Sequence, residues 1–104
     1  MGLGRKPRRI LERIRNAILD GEYDLTRHAV DEMAEDRLDI LDAEHAILSG
    51  EITRTEIDDL RGPRYTIIGL AEDRKREVGV VGRFTETDIY LIITVYEVTE
   101  LGEW

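Results

Sequence analysis

The side chains best suited to chemistry lie in a strongly hydrophobic stretch near the C-terminus, EVGVVGRFTETDIYLIITVYEV over residues 77–98. Arg83 has a planar guanidinium that can hold a phosphate through several donors. Tyr96 can donate a proton or stack on a nucleobase, and the hydroxyl of Thr94 can fix an oxygen atom. The stretch predicts two strands joined by a short turn, and polar side chains on such an apolar hairpin indicate a functional face.

Strict alternation predicts which residues of this hairpin share a face. The core face would carry Val78, Val80 and Phe84 from the first strand and Leu91, Ile93 and Val95 from the second. The mixed face would carry Gly79, Val81 and Arg83 with Tyr90, Ile92, Thr94 and Tyr96. We therefore expect the cationic and phenolic groups to lie together, open to solvent.

Four residues outside the hairpin are further candidates. Histidine exchanges protons near neutral pH, so His28, in the first turn of a predicted helix, could act as base or acid. Arg64 and Tyr65 open the neighbouring predicted strand and could extend a substrate groove. Arg37 could bind substrate at the end of the helix that carries His28. We expect the imidazole to lie beside the hairpin patch.

Each candidate also has a structural explanation. His28 could hydrogen-bond a strand backbone and fix its helix on the sheet. Arg83 could pair with an acidic side chain, a surface contact that contributes little stability. Tyr96 could be an amphipathic residue at the edge of the core, and Arg37 could complement the negative end of the helix dipole.

Several other kinds of site are excluded or disfavoured by the sequence. The chain has no cysteine, which excludes disulfides, thiolate metal sites and thiol catalysis. His28 and His45 lie on different predicted helices without a paired spacing such as HExxH, so no metal site is predicted. No glycine-rich phosphate loop and no G-x-S-x-G motif occurs, and we expect no cofactor.

Helical periodicity precedes strand alternation along the chain. We predict one domain over residues 1–104, made of a basic N-terminal helix (1–21), further helices (22–51), an antiparallel meander (52–98) and a tail (99–104) in which Trp104 could fold back. Thr26 and Asp39 are the predicted N-caps of the second and third helices, and glycines end the first and third. Helices first and strands afterwards indicate an α+β fold with two to three helices on one face of a four-stranded antiparallel sheet.

Charge is unevenly distributed, and the formal net charge is −8. Residues 1–16 hold six basic residues and one acid, a net of +5, while residues 31–59 hold eleven acids and two arginines, a net of −9. This asymmetry indicates two faces with different partners, although solvated helix surfaces explain it equally well. No apolar run could span a membrane, and we expect a cytoplasmic protein.

The order of several short motifs resembles a known family. YDLTRHAVDEMAEDR over residues 23–37, DAEHAILSGEI over 42–52, Arg64-Tyr65 and the ITVYE strand resemble an uncharacterised family of small prokaryotic domains, with the pattern LTxHAxxRMxxR, ALxxGEI and IITVY. The resemblance covers roughly residues 22–98. Glu32 stands where the family usually has a basic residue, and Leu38 stands where it has glycine.

The resemblance implies a RelE-like or MqsR-like architecture and a toxin of a toxin–antitoxin pair. On that basis we expect metal-independent RNA cleavage by 2′-hydroxyl attack, with His28, Arg83 and Tyr96 as catalytic candidates. Arg64, Tyr65, Thr94 and Arg37 would bind substrate. The implied partner is a zinc-finger or helix-turn-helix antitoxin. The alternative is a non-catalytic interaction module or degenerate toxin that acts as an oligomer, including a homodimer, because the net acidity is unusual for an RNA-binding protein.

Overall fold

Three helices and five strands make up the computed structural model, which describes residues 6–57 and 60–99, with side chains from residue 9 onward. The helices are α1 (Lys6–Leu19), α2 (Arg27–Glu35) and α3 (Ile40–Ser49). The strands are β1 (Tyr23–Leu25), β2 (Glu51–Glu56), β3 (Arg64–Leu70), β4 (Glu77–Phe84) and β5 (Tyr90–Val98). Asp58, Asp59 and Trp104, the residue predicted to fold back, lie outside the described residues.

The sheet has five strands in the order β1-β5-β4-β3-β2. β2 to β5 form the predicted antiparallel meander, and β1 pairs parallel with β5. The α+β prediction is therefore confirmed, but the four-stranded antiparallel sheet was wrong. β1 has three residues, too few for alternation to show, and its pairing with β5 depends on tertiary contacts. The helices pack on one face, with α2 against β5 and α3 against β3 and β4.

Local capping signals placed the helix starts correctly. Thr26 Oγ1 accepts the Ala29 N–H at 3.1 Å, and Asp39 forms a capping box with Asp42. Asp42 is buried, and its other carboxylate oxygen accepts the Glu72 N–H at 3.0 Å. The start of α3 is therefore joined to the β3–β4 loop through one side chain.

The close approach of α3 to the sheet depends on a glycine. A Cβ at Gly69 would lie 2.0 Å from the Ala46 carbonyl oxygen, so only glycine allows the two backbones to approach this closely. The buried core beneath this contact includes Ile14 and Ile47 from the helices and Ile67, Val78, Val80, Ile92 and Val95 from the sheet.

A bulge in β5 changes which residues face the helices. Val81 lies opposite Thr94 while the next residue, Gly82, lies opposite Ile92, so Ile93 is the extra residue. Tyr90, Ile92 and Val95 are buried on the helix side. Leu91, Ile93, Thr94 and Tyr96 lie on the opposite side. Strict alternation was therefore wrong for β5, because a bulge shifts the side-chain pattern by one residue.

We call the side of the sheet away from the helices the open face. β5 contributes Leu91, Ile93, Thr94, Tyr96 and Val98, β4 contributes Gly79, Val81 and Arg83, β3 contributes Arg64, Thr66, Ile68 and Leu70, and β2 contributes Arg54 and Glu56. None of the helices in the described ranges is long and apolar enough to cross a membrane.

Candidate functional site

Three arginines line one small cavity at one end of the open face. Arg61, Arg64 and Arg83 surround about 180 Å³ together with Thr26, Leu91 and Ile93. We call this space the arginine cavity. Arginines around a volume of this size can offer planar sets of donors to a phosphate or carboxylate. Acidic side chains also lie nearby, because Glu56 is 3.6 Å from Arg64 and Glu86 lines a neighbouring cavity with Arg61 and Arg83.

Arg64, one of the residues that line this cavity, is only partly paired. Its Nε is buried and, among the described residues, donates no hydrogen bond. Its Nη2 lies 3.6 Å from Glu56 Oε1, beyond hydrogen-bond distance. A buried N–H without a partner is costly, so an anion that accepts this hydrogen bond would remove the cost.

Thr26 joins the start of α2 to the floor of the cavity. Its Oγ1 donates to the Ile93 carbonyl at 2.9 Å and accepts from the Ala29 N–H. The Thr26 N–H also donates to the Ile92 carbonyl at 3.0 Å. The bulge in β5 and the first turn of α2 are therefore fixed together at the site.

His28 lies on the first turn of α2, two residues after Thr26. Its side chain is 65% exposed, and Nε2 lies 3.1 Å from Glu32 Oε2. The other carboxylate oxygen of Glu32 accepts the Val95 N–H at 3.0 Å. Glu32 therefore lies between the imidazole and the β5 backbone, with one carboxylate oxygen directed to each.

Tyr96 lies on the open face but lines a different cavity. That cavity, which we call the tyrosine cavity, has a volume of about 430 Å³ and is also lined by Thr53, Ile68, Glu77, Glu97, Val98 and Thr99. The ring covers Gly79, where a Cβ would lie 2.3 Å from Tyr96 Cζ. Burial and the Glu32 carboxylate raise the pKa of Tyr96, so its hydroxyl stays protonated at neutral pH.

The pairing of β4 with β5 places two predicted catalytic residues, Arg83 and Tyr96, far apart on the sheet. Tyr96 lies opposite Gly79, and Arg83 is four residues further along β4, which corresponds to about 13 Å along the strand. Arg83 and Tyr96 share a face without sharing a cavity. His28 lines neither of the two cavities.

The remaining predicted substrate-binding residues are dispersed. Thr94 lies on the open face opposite Val81. Tyr65 is buried on the helix side, where burial raises its pKa. Arg37 follows α2 with a φ of 57°, and its carbonyl accepts from Arg76 Nη1 at 3.2 Å.

Sequence reasoning missed Arg61, Thr26 and Glu32 as members of the site. The sequence predicts only an N-cap for Thr26, and it gives Arg61 no role in a site. Their proximity to Arg83 comes from tertiary structure, since β1 and the β2–β3 connection are far from β4 in sequence. Glu32 had been treated as a lost cation rather than as a hydrogen-bond acceptor.

Many of the acidic side chains on the helices accept hydrogen bonds. Glu32 and Asp36 accept the N–H groups of Val95 and Glu97, Asp39 and Asp42 cap α3, and Glu44 accepts the Tyr23 hydroxyl. These carboxylates lie on or beside the helices, and none of them lines the arginine cavity. In the ranges that the structure describes, no three His, Asp or Glu side chains are grouped to hold a metal ion.

The fold and the site define an α+β domain whose helices cover one sheet face and whose other face carries the charged cavity. A family model described as a domain of unknown function (DUF4258) matches residues 25–97, and the chain belongs to this family. The matched region runs from the end of β1 to β5 and so contains α2, α3 and the meander. No curated protein and no solved structure matches the chain.

Proposed function

We propose that the protein is a metal-independent endoribonuclease of the toxin type, which holds an RNA phosphodiester in the arginine cavity. The observation that carries the proposal is the convergence of Arg61, Arg64 and Arg83 on one cavity of about 180 Å³. The assignment of the protein to a RelE-like type of toxin is part of this proposal. It rests on the resemblance of the motifs and on the helices-then-meander order of the fold.

In the proposed reaction, Arg83 and Arg64 bind the non-bridging phosphate oxygens and stabilise the charge that develops in the transition state. A base removes the proton of the 2′-hydroxyl, the 2′-oxygen attacks phosphorus, and the bond to the 5′-oxygen breaks. The leaving oxygen takes up a proton. The products are a 2′,3′-cyclic phosphate and a 5′-hydroxyl.

His28 is the proposed base, and because it does not line the arginine cavity it must reach the 2′-hydroxyl from the first turn of α2 beside Thr26. Its Nε2 lies 3.1 Å from Glu32 Oε2, and a carboxylate beside an imidazole is the usual arrangement for orienting a histidine base. Tyr96 is about 13 Å from Arg83 along the sheet, so we assign it to stacking on a base further along the strand rather than to proton transfer.

The direct test is cleavage of single-stranded RNA by the purified chain in the presence of EDTA. We expect Arg83→Ala to lower the rate by about two orders of magnitude, the usual effect of removing a donor to transition-state charge. Lys75→Ala, which removes one exposed positive charge on the β3–β4 loop, should have no effect. Intact RNA at high enzyme concentration, or cleavage that Arg83→Ala leaves unchanged, would contradict the proposal.

An interaction module is the second candidate, and the apolar part of the open face favours it. Ile68, Val81, Leu91, Ile93 and Val98 lie on this face, which the described helices leave uncovered. Such a face suits a protein partner, including the antitoxin that the resemblance implies. Measuring RNA binding at several salt concentrations separates the two candidates. Three phosphate contacts predict that the logarithm of the binding constant falls with the logarithm of the salt concentration with a slope of about −2. An interaction module should show no such slope.

A further inference from the structure

The two edges of the sheet differ in how their backbone groups are used. At one edge, β1 pairs only with the first residues of β5. Further along β5, the N–H groups of Val95 and Glu97 donate to the carboxylates of Glu32 and Asp36 on α2 and at its end. At the other edge lies β2, which pairs only with β3 within the described residues. An edge strand of this kind is a template for pairing with another strand.

The charges of β2 determine which strand can pair with it. Arg54 and Glu56 lie on the open face with Thr55 between them on the helix side. If β2 of a second copy pairs antiparallel with Thr55 opposite Thr55, each Arg54 lies opposite a Glu56. Registers centred on Arg54 or on Glu56 place like charges opposite each other, which is destabilising. The strand is therefore self-complementary in one of these registers.

We infer that β2 pairs with β2 of a second copy, centred on Thr55, to form a symmetric dimer with a ten-stranded sheet. Exposed apolar side chains beside β2 support this interface. Ile57, the residue after β2, is 74% exposed, and Leu60 is fully exposed three residues further along the chain. Their burial on association is favourable.

The dimer changes the surroundings of the arginine cavity. A two-fold axis perpendicular to the sheet keeps both open faces on the same side. The two β3 strands, each carrying Arg64, would be three strand spacings apart, about 14 Å. Glu56, already 3.6 Å from Arg64, would gain Arg54 of the second copy as a neighbour. One continuous surface would then carry two cationic cavities, whatever the function of the site.

Disulfide cross-linking tests the register, because the chain has no cysteine of its own. Residues directly opposite each other in antiparallel strands have Cα atoms about 4.5–5.5 Å apart, a distance that a disulfide spans. The single variant Thr55→Cys should therefore form a covalent dimer in oxidised glutathione at low micromolar concentration. In the control Thr53→Cys, the two thiols would be four residues out of register, about 13 Å apart. Equal cross-linking of both variants, or none in either, would overturn the inference.

Charge reversal tests the same register without a new covalent bond. By sedimentation velocity we expect the native chain to dimerise and Arg54→Glu or Glu56→Arg to weaken the dimer about tenfold or more, since each change creates two like-charge pairs. The double variant, which restores opposite charges, should restore dimerisation. Lys75→Glu, a reversal on the β3–β4 loop, should change nothing. A monomeric native chain, or a dimer that both single reversals leave intact, would overturn the inference, and circular dichroism confirms folding of each variant.

Discussion

Gly69 and Gly79 differ in what a side chain would contact. A Cβ at Gly69 would lie 2.0 Å from the carbonyl oxygen of Ala46, a backbone atom in the middle of α3. A Cβ at Gly79 would lie 2.3 Å from the Tyr96 ring, which is part of a side chain that can rotate away. The two glycines therefore tolerate alanine to different degrees.

We expect Gly69→Ala to lower the free energy of unfolding by about 3 kcal/mol or more, because α3 must move off the sheet. Gly79→Ala should cost less, about 1 kcal/mol, since only the ring is displaced. Urea denaturation of both variants measures the difference. Equal losses would mean that α3 adjusts as easily as one side chain.

Arg37 has a backbone conformation that favours glycine. Its φ of 57° lies in the left-handed region, just after α2, where the Leu38 N–H donates to the Met33 carbonyl at 2.7 Å. Helices commonly end with glycine in this conformation. We expect Arg37→Gly to raise the free energy of unfolding by about 0.5–1 kcal/mol, because the left-handed strain is removed. Glu35→Gly, at the exposed last residue of α2, should instead lower it by less than about 1 kcal/mol.

At the scale of elements, α2 secures the edge of β5 through its carboxylates. Val95 is fully buried, and its N–H donates to Glu32 Oε1 at 3.0 Å. Glu32→Ala leaves this buried donor unpaired, so the free energy of unfolding should fall by about 1–3 kcal/mol. Glu32→Gln keeps a carbonyl acceptor and should cost less.

Hydrogen exchange locates this effect on the strand. The Val95 amide should exchange faster in Glu32→Ala than in Glu32→Gln, relative to amides of β3 and β4. Asp31→Ala, an exposed neighbour on the same helix, is the control and should leave Val95 protected. If the Val95 amide exchanges no faster in Glu32→Ala, the Glu32 carboxylate does not stabilise the edge of β5.

Local patterns predicted the elements, while the sheet and the site depended on contacts between distant residues. Thr26 and Asp39 act within three residues of themselves, so their capping roles could be read from the sequence. The bulge at Ile93 has no such signature, and it moved Tyr90 and Ile92 into the core. Arg83 was recognised from its place in the hairpin, but the approach of Arg61 and Arg64 to it requires the folded meander.

At the scale of the whole molecule, all four tyrosines stabilise the fold in their protonated form. Burial raises the pKa of each, and burial with the Glu44 hydrogen bond raises the pKa of Tyr23 to about 12. Because the folded values exceed the unfolded value near 10, this stabilisation is complete below pH 10 and is lost as the pH rises through the folded values. The unfolded chain binds fewer protons in that range, so unfolding becomes easier.

We therefore expect the urea midpoint to fall steeply between pH 10 and pH 12, with phenolate absorbance appearing together with unfolding. Each tyrosine that is ionised only in the unfolded chain contributes about 1.4 kcal/mol per pH unit. Tyr23→Phe should flatten the fall, because phenylalanine has no proton to lose. Phenolate formation in all four residues at pH 10 without unfolding would contradict this account.

The strand order has a consequence for synthesis on the ribosome. Of the five strands of this sheet, β5 is translated after the other four, yet it lies second in the sheet, between β1 and β4. Tyr90 of β5 comes 67 positions after Tyr23 of β1, the residue with which it pairs. Arg83 likewise faces Leu91, which is translated later. The nascent chain therefore cannot complete the sheet that carries the arginine cavity until β5 has left the exit tunnel. Any function of the arginine cavity begins only after β5 has been translated.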